Sequence, residues 1–255
     1  MILALLGAAL IGVSLGLLGS GGSIVTVPLL VYVVGHSEKA SIAESLAIVG
    51  IISLFGAIIR ARAHEVDWRS VVIFGPLTMV GAFAGGALSD FLAGPVQLLI
   101  LGVIMLGAAV LMARPPKLET AGEQKTSGIT ALGAAGLGVG IVTGLVGIGG
   151  GFMIVPALVL VGGLSMQRAI GTSLTLIFLN CIAGFASHLR VLDSSETVID
   201  WATIIIFGML GVAGSVAGRS IGKRLNQKTL RRIFAIFILL IAIWMLIRES
   251  MKLWG

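Results

Sequence analysis

Charge is scarce in this sequence. Only 11% of its 255 residues are Asp, Glu, Lys or Arg, against about 25% in an ordinary soluble domain. Cysteine is almost absent: Cys181 stands alone, so no intrachain disulfide can form. Long polar intervals are missing too. The longest, about Arg114 to Ser127, is too short for a soluble catalytic domain. No Gly-Lys-Ser/Thr occurs, which excludes a P-loop and ATP hydrolysis within the chain. Gly19-Ser20-Gly21 lacks the βαβ surroundings of a dinucleotide fingerprint. His36, His64 and His188 lie in or beside different loops, without the spacing of metal ligands, and no Ser/His/Asp set can be assembled. The expectation is a protein that is not an enzyme, with no metal and no cofactor. The N-terminal apolar stretch has no basic segment before it and further spans follow, which argues against a cleaved signal peptide.

What is present is apolar. Hydrophobic residues make up 57% of the chain and the mean hydropathy is +1.12. Apolar runs of 17 to 20 residues recur along its whole length, the mark of an all-α polytopic membrane protein in a lipid bilayer. The 37 glycines suit that class, because small residues let membrane helices approach closely. The net charge of +6 does not point to nucleic acid; the basic residues gather in loops, where they set topology.

Two of the apolar runs carry a glycine cluster. The first is Gly16-Leu17-Leu18-Gly19-Ser20-Gly21-Gly22-Ser23-Ile24-Val25-Thr26-Val27-Pro28, the second Gly144-Leu145-Val146-Gly147-Ile148-Gly149-Gly150-Gly151-Phe152-Met153-Ile154-Val155-Pro156. Each glycine lowers helix propensity by roughly 1 kcal/mol relative to alanine, so each cluster predicts a break in membrane-embedded chain. Around the breaks the pattern predicts helix over 1–18, a shorter segment over 23–34, and spans over 41–59, 70–88 and 96–112. The second half repeats the plan with segments 130–146 and 152–161 and spans 169–187, 201–221 and 233–247. Charged loops are expected at Arg60 to Arg69 and Gly222 to Arg232.

The halves share residues in register. At an offset of 128, Pro28 meets Pro156, Ile42 meets Ile170, Ser45-Leu46 meets Ser173-Leu174 and Gly56 meets Gly184. A five-residue insertion then shifts the offset to 133, matching Asp67-Trp68 with Asp200-Trp201, Gly81 with Gly214 and Gly85 with Gly218. Such a series marks an internal duplication: a first repeat over 1–112, a cytoplasmic linker over 113–128 and a second repeat over 129–255.

Charge chooses between two topologies. If each broken segment crosses once, the 17 Lys and Arg divide nine to eight between the two sides. If each returns to the side it came from, 13 share one face and only Lys39, Arg190, Arg248 and Lys252 oppose them. The uneven split follows the positive-inside rule. It gives two inverted repeats, each a glycine-interrupted helical hairpin plus three transmembrane helices, with both termini outside the cytoplasm. Interrupted helices in corresponding positions of two halves are the best sequence pointer to a transporter's binding site.

Each break ends where a helix begins, and a helix start carries unpaired N–H groups and roughly half a positive charge. Two starts meeting near the midplane would suit a small anion. No Lys or Arg lies deep in an apolar run, so dipoles and hydroxyls would hold it. The candidate substrate-binding residues are Gly19, Ser20, Gly21, Gly22 and Ser23 in the first break and Gly147, Gly149, Gly150 and Gly151 in the second. Ser45, Thr172 and Ser173 join them, early in the spans that follow. Asn180 lies mid-span and offers an amide. Against these stand plainer roles: glycines for packing, Ser and Thr hydroxyls bonded to their own helix, Glu44 snorkelling to the interface, and Cys181 as a small buried residue.

With these residues in view, the chain resembles the sulfite exporter TauE/SafE family of membrane permeases. The likeness rests on the Gly144 to Pro156 pattern, its weaker copy at Gly16 to Pro28, the duplicated layout and the Ile170-Gly171-Thr172-Ser173 stretch. The first copy departs from the pattern, with Ser20 and Ser23 where the second has Ile148 and Gly151. The resemblance implies an inner-membrane secondary transporter that exports small sulfur-containing anions such as sulfite or organosulfonates, coupled to a proton or sodium ion. The residues themselves say only "small anion". They leave open an anion-selective channel or a membrane scaffold without transport, and the apolar exterior permits a homodimer.

Overall fold

The computed structural model describes residues 2–19, 22–113, 129–147, 150–160, 162–193, 199–222 and 227–254. They form helices and no strand. The first half holds α1 (Ile2–Leu18), α2 (Ser23–Leu29), α3 (Glu38–Arg62), α4 (Trp68–Leu88) and α5 (Gly94–Ala113). The second holds α6 (Ile129–Val146), α7 (Gly151–Leu160), α8 (Met166–Asp193), α9 (Trp201–Gly222) and α10 (Gln227–Trp254). A π-helical turn, Leu30–Val34, continues α2, and Gly35 closes it in the left-handed region at φ 91°. The chain is an all-α multi-pass membrane protein. All of α3 and α4, Gln167–His188 of α8 and Trp201–Ile221 of α9 are long and apolar enough to cross a bilayer. The linker 114–128 lies outside the described residues.

Several helices outrun the apolar windows that announce them, because caps lie beyond those windows. The Ser37 hydroxyl accepts the Ala40 N–H at 3.4 Å and starts α3. Asp67 accepts the Ser70 N–H at 2.9 Å and starts α4. Its counterpart Asp200 takes the N–H groups of Ala202 and Thr203 and starts α9. Arg60 and Arg62, expected in a loop, are in the last turn of α3, where cations suit the negative helix end. Arg69 falls in the first turn of α4, and Arg231 and Arg232 belong to α10.

Each glycine break makes a hairpin. A methyl group at Gly7 would stand 2.6 Å from Leu29 Cδ1, and one at Gly22 would strike the Ile11 carbonyl and the Ser14 hydroxyl. So α2 returns along α1. At the second break a methyl at Gly150 would strike Thr143 and crowd Val139, so α7 turns back on α6 in the same way.

The hairpins pack across the halves through glycine. On α1, Gly12 and Gly16 abut the carbonyls of Gly211 and Ser215 on α9; Gly214 and Gly218 abut those of Ala9 and Val13 in return. The duplicated set does the same between α6 and α4. Gly140 and Gly144 meet the carbonyls of Thr78 and Ala82, and Gly81 and Gly85 meet those of Leu137 and Ile141. In both pairs the residue numbers rise together, so α1 is parallel to α9 and α6 to α4. The central pair runs the other way: Leu46 faces Gly184, Gly50 faces Cys181 and Gly56 faces Leu174, so α3 and α8 are antiparallel. Ile51 and Ile52 of α3 pack on Gly208 and Gly211 of α9, a parallel pair; Gly75 and Gly86 of α4 rise beside Leu176 and Ser187 of α8, another. Taken together, these directions make α1 antiparallel to α6.

Candidate functional site

Gly19 and Gly147 turn the chain at the two breaks, with φ +67° and +73°. Only glycine takes such angles without cost. Both also lack room for a side chain: a Cβ at Gly19 would strike Ile170, and one at Gly147 would strike Ile42, its repeat counterpart. The carbonyls freed by these turns are received by the opposite half. Ser173 donates to the Gly19 carbonyl at 2.9 Å. Ser45, 128 positions earlier, donates to the Gly147 carbonyl. Each serine also lies within reach of its own helix, at the carbonyls of Ile170 and Ile42, and both are fully buried. Each hairpin tip is therefore latched to the long helix of the other half.

The remaining candidates fall around these latches. Gly22 caps α2 and Ser23 begins it, buried. Gly150, at φ +69°, and Gly151 lead into α7. Ser20, Gly21 and Gly149 lie outside the described residues. Thr172 accepts the backbone N–H of Asp67 at 2.9 Å. In the other half Glu44 stands in its place and accepts the N–H of Asp200 at 2.9 Å, Asp200 being the counterpart of Asp67. Glu44 does not snorkel. It is 1% exposed and meets His36 Nδ1 at 2.6 Å. The Asp200 carboxyl is held below the usual carboxylate range, chiefly by the Thr203 hydroxyl and then by the Thr203 N–H.

The two latches stand apart. Ser45 marks the level of the second break on α3, and Gly56, packed on Leu174 beside Ser173, marks the first. At 1.5 Å per residue those levels are about 16 Å apart. The expected meeting of both breaks on one guest is not the arrangement in this conformation.

Arginine is also closer than the sequence suggested. Arg60 is 8% exposed and donates from Nη2 to the carbonyl of Gly16, one turn before the first break, at 3.1 Å. Its Nη1 meets Glu65 at 2.7 Å, and Arg219 meets the other oxygen of Glu65 at 3.4 Å. A residue at the end of an apolar window reads as loop; here two polar partners, the Glu65 carboxylate and the Gly16 carbonyl, fold it back into the bundle. At the second break the position of Arg60 is held by His188 and that of Arg219 by Gly86. His188 there approaches Gly86 and Ser89.

Comparison with known proteins agrees with this architecture. The family model described as "Sulfite exporter TauE/SafE" matches residues 4–245. The chain belongs to the sulfite exporter TauE/SafE family. A "Probable membrane transporter protein" of Xylella fastidiosa (strain Temecula1) is 31% identical over 252 residues, covering 94% of this chain and 92% of that one. A protein of the same description from Haemophilus influenzae is 27% identical over 264 residues, covering 97% and 98%. No solved structure matches at a significant level. Family membership and these relatives make the chain a membrane transporter of the permease type.

Proposed function

We propose that this protein is a secondary transporter, acting as an exporter, of small sulfur-containing anions such as sulfite or organosulfonates. It resides in the inner membrane, works by alternating access, and couples transport to a proton or sodium ion. The observation that carries the reading is the reciprocal latch: Ser173 on Gly19 and Ser45 on Gly147. Irregular backbone at membrane depth is tolerated where it is buried in protein or lines a path. Here it recurs twice, at matching positions, each tip held by the other half.

The two halves, 1–112 and 129–255, are inverted repeats in this reading, joined by a cytoplasmic linker over 113–128. Support comes from the antiparallel run of α1 and α6 and from the uneven charge split. The first hairpin then enters from outside and ends near the cytoplasmic surface, beside Arg60; the second does the reverse. Gly19, Ser20, Gly21, Gly22 and Ser23 form one anion station and Gly147, Gly149, Gly150 and Gly151 another. Ser45, Thr172 and Ser173 govern how the stations open. Helix N-terminal N–H groups supply the attraction.

Uptake into proteoliposomes, measured for sulfite, a sulfonate, thiosulfate, sulfate and chloride with and without a pH gradient, tests this. Saturable sulfite or sulfonate flux that responds to the gradient is the expected result. Flux linear in concentration would indicate a channel, and none at all would end the transport reading.

A further inference from the structure

Arg60, Glu65 and Arg219 sit where the first break reaches the end of the bundle. Two helices and a loop supply them: α3, the α3–α4 loop and α9. Two guanidinium groups share one carboxylate, leaving a net positive charge, and the sharing is unequal. Arg60 Nη1 meets Glu65 Oε2 at 2.7 Å, while Arg219 Nη2 reaches Oε1 only at 3.4 Å. Arg219 Nε is buried and has no hydrogen-bond partner among the described residues. A guanidinium binds best side-on, through Nε and one Nη to two oxygens of the same anion. Glu65 engages Arg219 at one corner only and leaves its Nε–H without a hydrogen-bond partner among the described residues.

We propose that Glu65 is an internal stand-in for the transported anion, and that the Arg60–Arg219 pair is an oxyanion-binding station at the mouth of the first break. This deepens the transport reading and rests on it for its physiological ligand. A pyramidal or tetrahedral oxyanion has enough oxygens to take Arg219 Nε and Nη2 together with Arg60 Nη1. Glu65 has two oxygens, and its backbone is tethered to the loop. The cluster borders water at its outer edge: the side chains of Glu65 and Arg219 are 25% and 24% exposed.

The same loop is wired to the first latch. Gly171 lets α8 approach the Glu65 carbonyl, Thr172 takes the Asp67 N–H, and Ser173 holds the Gly19 carbonyl, three consecutive residues. His64, just before Glu65, has a left-handed backbone at φ 56°, a conformation that a non-glycine residue rarely adopts. An anion that displaces Glu65 therefore pulls on the segment that touches the break. No equivalent pair exists at the other break, where His188 and Gly86 occupy the corresponding positions. The station belongs to one side of the membrane only.

The test is sulfite binding to the full-length protein in nanodiscs by titration calorimetry, with chloride as the comparison ion. Wild type, Glu65→Gln and Arg219→Gln are measured, and each is then reconstituted for sulfite flux. Removing the competitor raises the competent fraction, so Glu65→Gln binds sulfite tighter by about fivefold or more. Arg219→Gln keeps the shorter Arg60–Glu65 pair, and so remains folded, but weakens sulfite by about tenfold. Glu65→Gln affinity equal to or below wild type overturns the proposal, and so does unchanged affinity in Arg219→Gln; if Glu65→Gln does not fold, the second variant decides alone. Wild-type flux with no change of affinity in either variant removes the station and leaves the transport reading. The expected affinities without wild-type flux of any anion remove the transport reading and leave the station. A wild type that binds no sulfite removes the station.

Discussion

At the residue scale, the chain's most informative groups are those with a single partner in the opposite half. Ser45 and Ser173 each hold a carbonyl that the glycine turn has released into a dry interior. Leaving such a group unpaired costs about 1–3 kcal/mol. Ser45→Ala and Ser173→Ala should each lower thermal stability in detergent by that amount. The two losses should add, since the sites are about 16 Å apart. Threonine at either position should restore most of it. Gly147→Ala faces two penalties, a positive φ and collision with Ile42. It should cost more than Gly138→Ala, where a methyl meets nothing within 4 Å. Alanine at that exposed helical site should be neutral or stabilising by up to about 1 kcal/mol. A thermal shift comparison of the two variants checks this.

At the scale of single elements, helix starts and helix contacts decide the architecture. Asp200 caps α9, and its carboxyl is held below the usual range by the bonds it accepts. Its contribution is therefore present at pH above the unfolded value of about 3.9. It is lost as pH falls through the lower folded value. Asp200→Ala should cost about 1 kcal/mol at neutral pH; Asp200→Asn should keep most of the cap and remove that acid-dependent loss. Unfolding scans between pH 3 and 7 separate the two. Helix contacts are more exacting. Gly144 lies against the backbone of Ala82, and Gly16 against that of Ser215. Gly144→Ile should part α6 from α4 and abolish a monodisperse peak in size-exclusion chromatography.

The same elements show what a sequence alone can carry. The breaks were legible because glycine clusters interrupt apolar runs, and the hairpins because charge fell unevenly between the two faces. The register of the halves was legible as well, since Ile42 and Ile170 or Gly85 and Gly218 recur at fixed offsets. Helix ends were less so: Ser37 and Asp67 cap from outside the apolar window. Arg60 was misread for the same reason, as its burial depends on Glu65 and on a carbonyl from α1. The latches could not be read at all. Ser45 sits in an apolar helix, where a hydroxyl usually serves its own backbone. Only the crossing of α3 and α8 reveals that the other half uses it. Glu44 looked like an interfacial carboxylate because its partners, His36 and the Asp200 N–H, lie 8 and 156 residues away.

At the scale of the whole molecule, two hairpins present their tips to opposite ends of the bundle. Their helices pack across the halves, α1 on α9 and α6 on α4. Neither half can therefore move without carrying an element of the other, which suits a rocking exchange between two open states. Lys39 and Gln167 are counterparts at the offset of 128, each just after its hairpin returns. The native thiol of Cys181 is buried and free, so single-cysteine reporters can be read against a silent background. The decisive measurement is labelling of Lys39→Cys and Gln167→Cys in intact cells with a membrane-impermeant maleimide. Lys39→Cys should label from outside, and Gln167→Cys only after permeabilisation; equal labelling of both in intact cells would contradict the inverted arrangement and the two-sided path built on it.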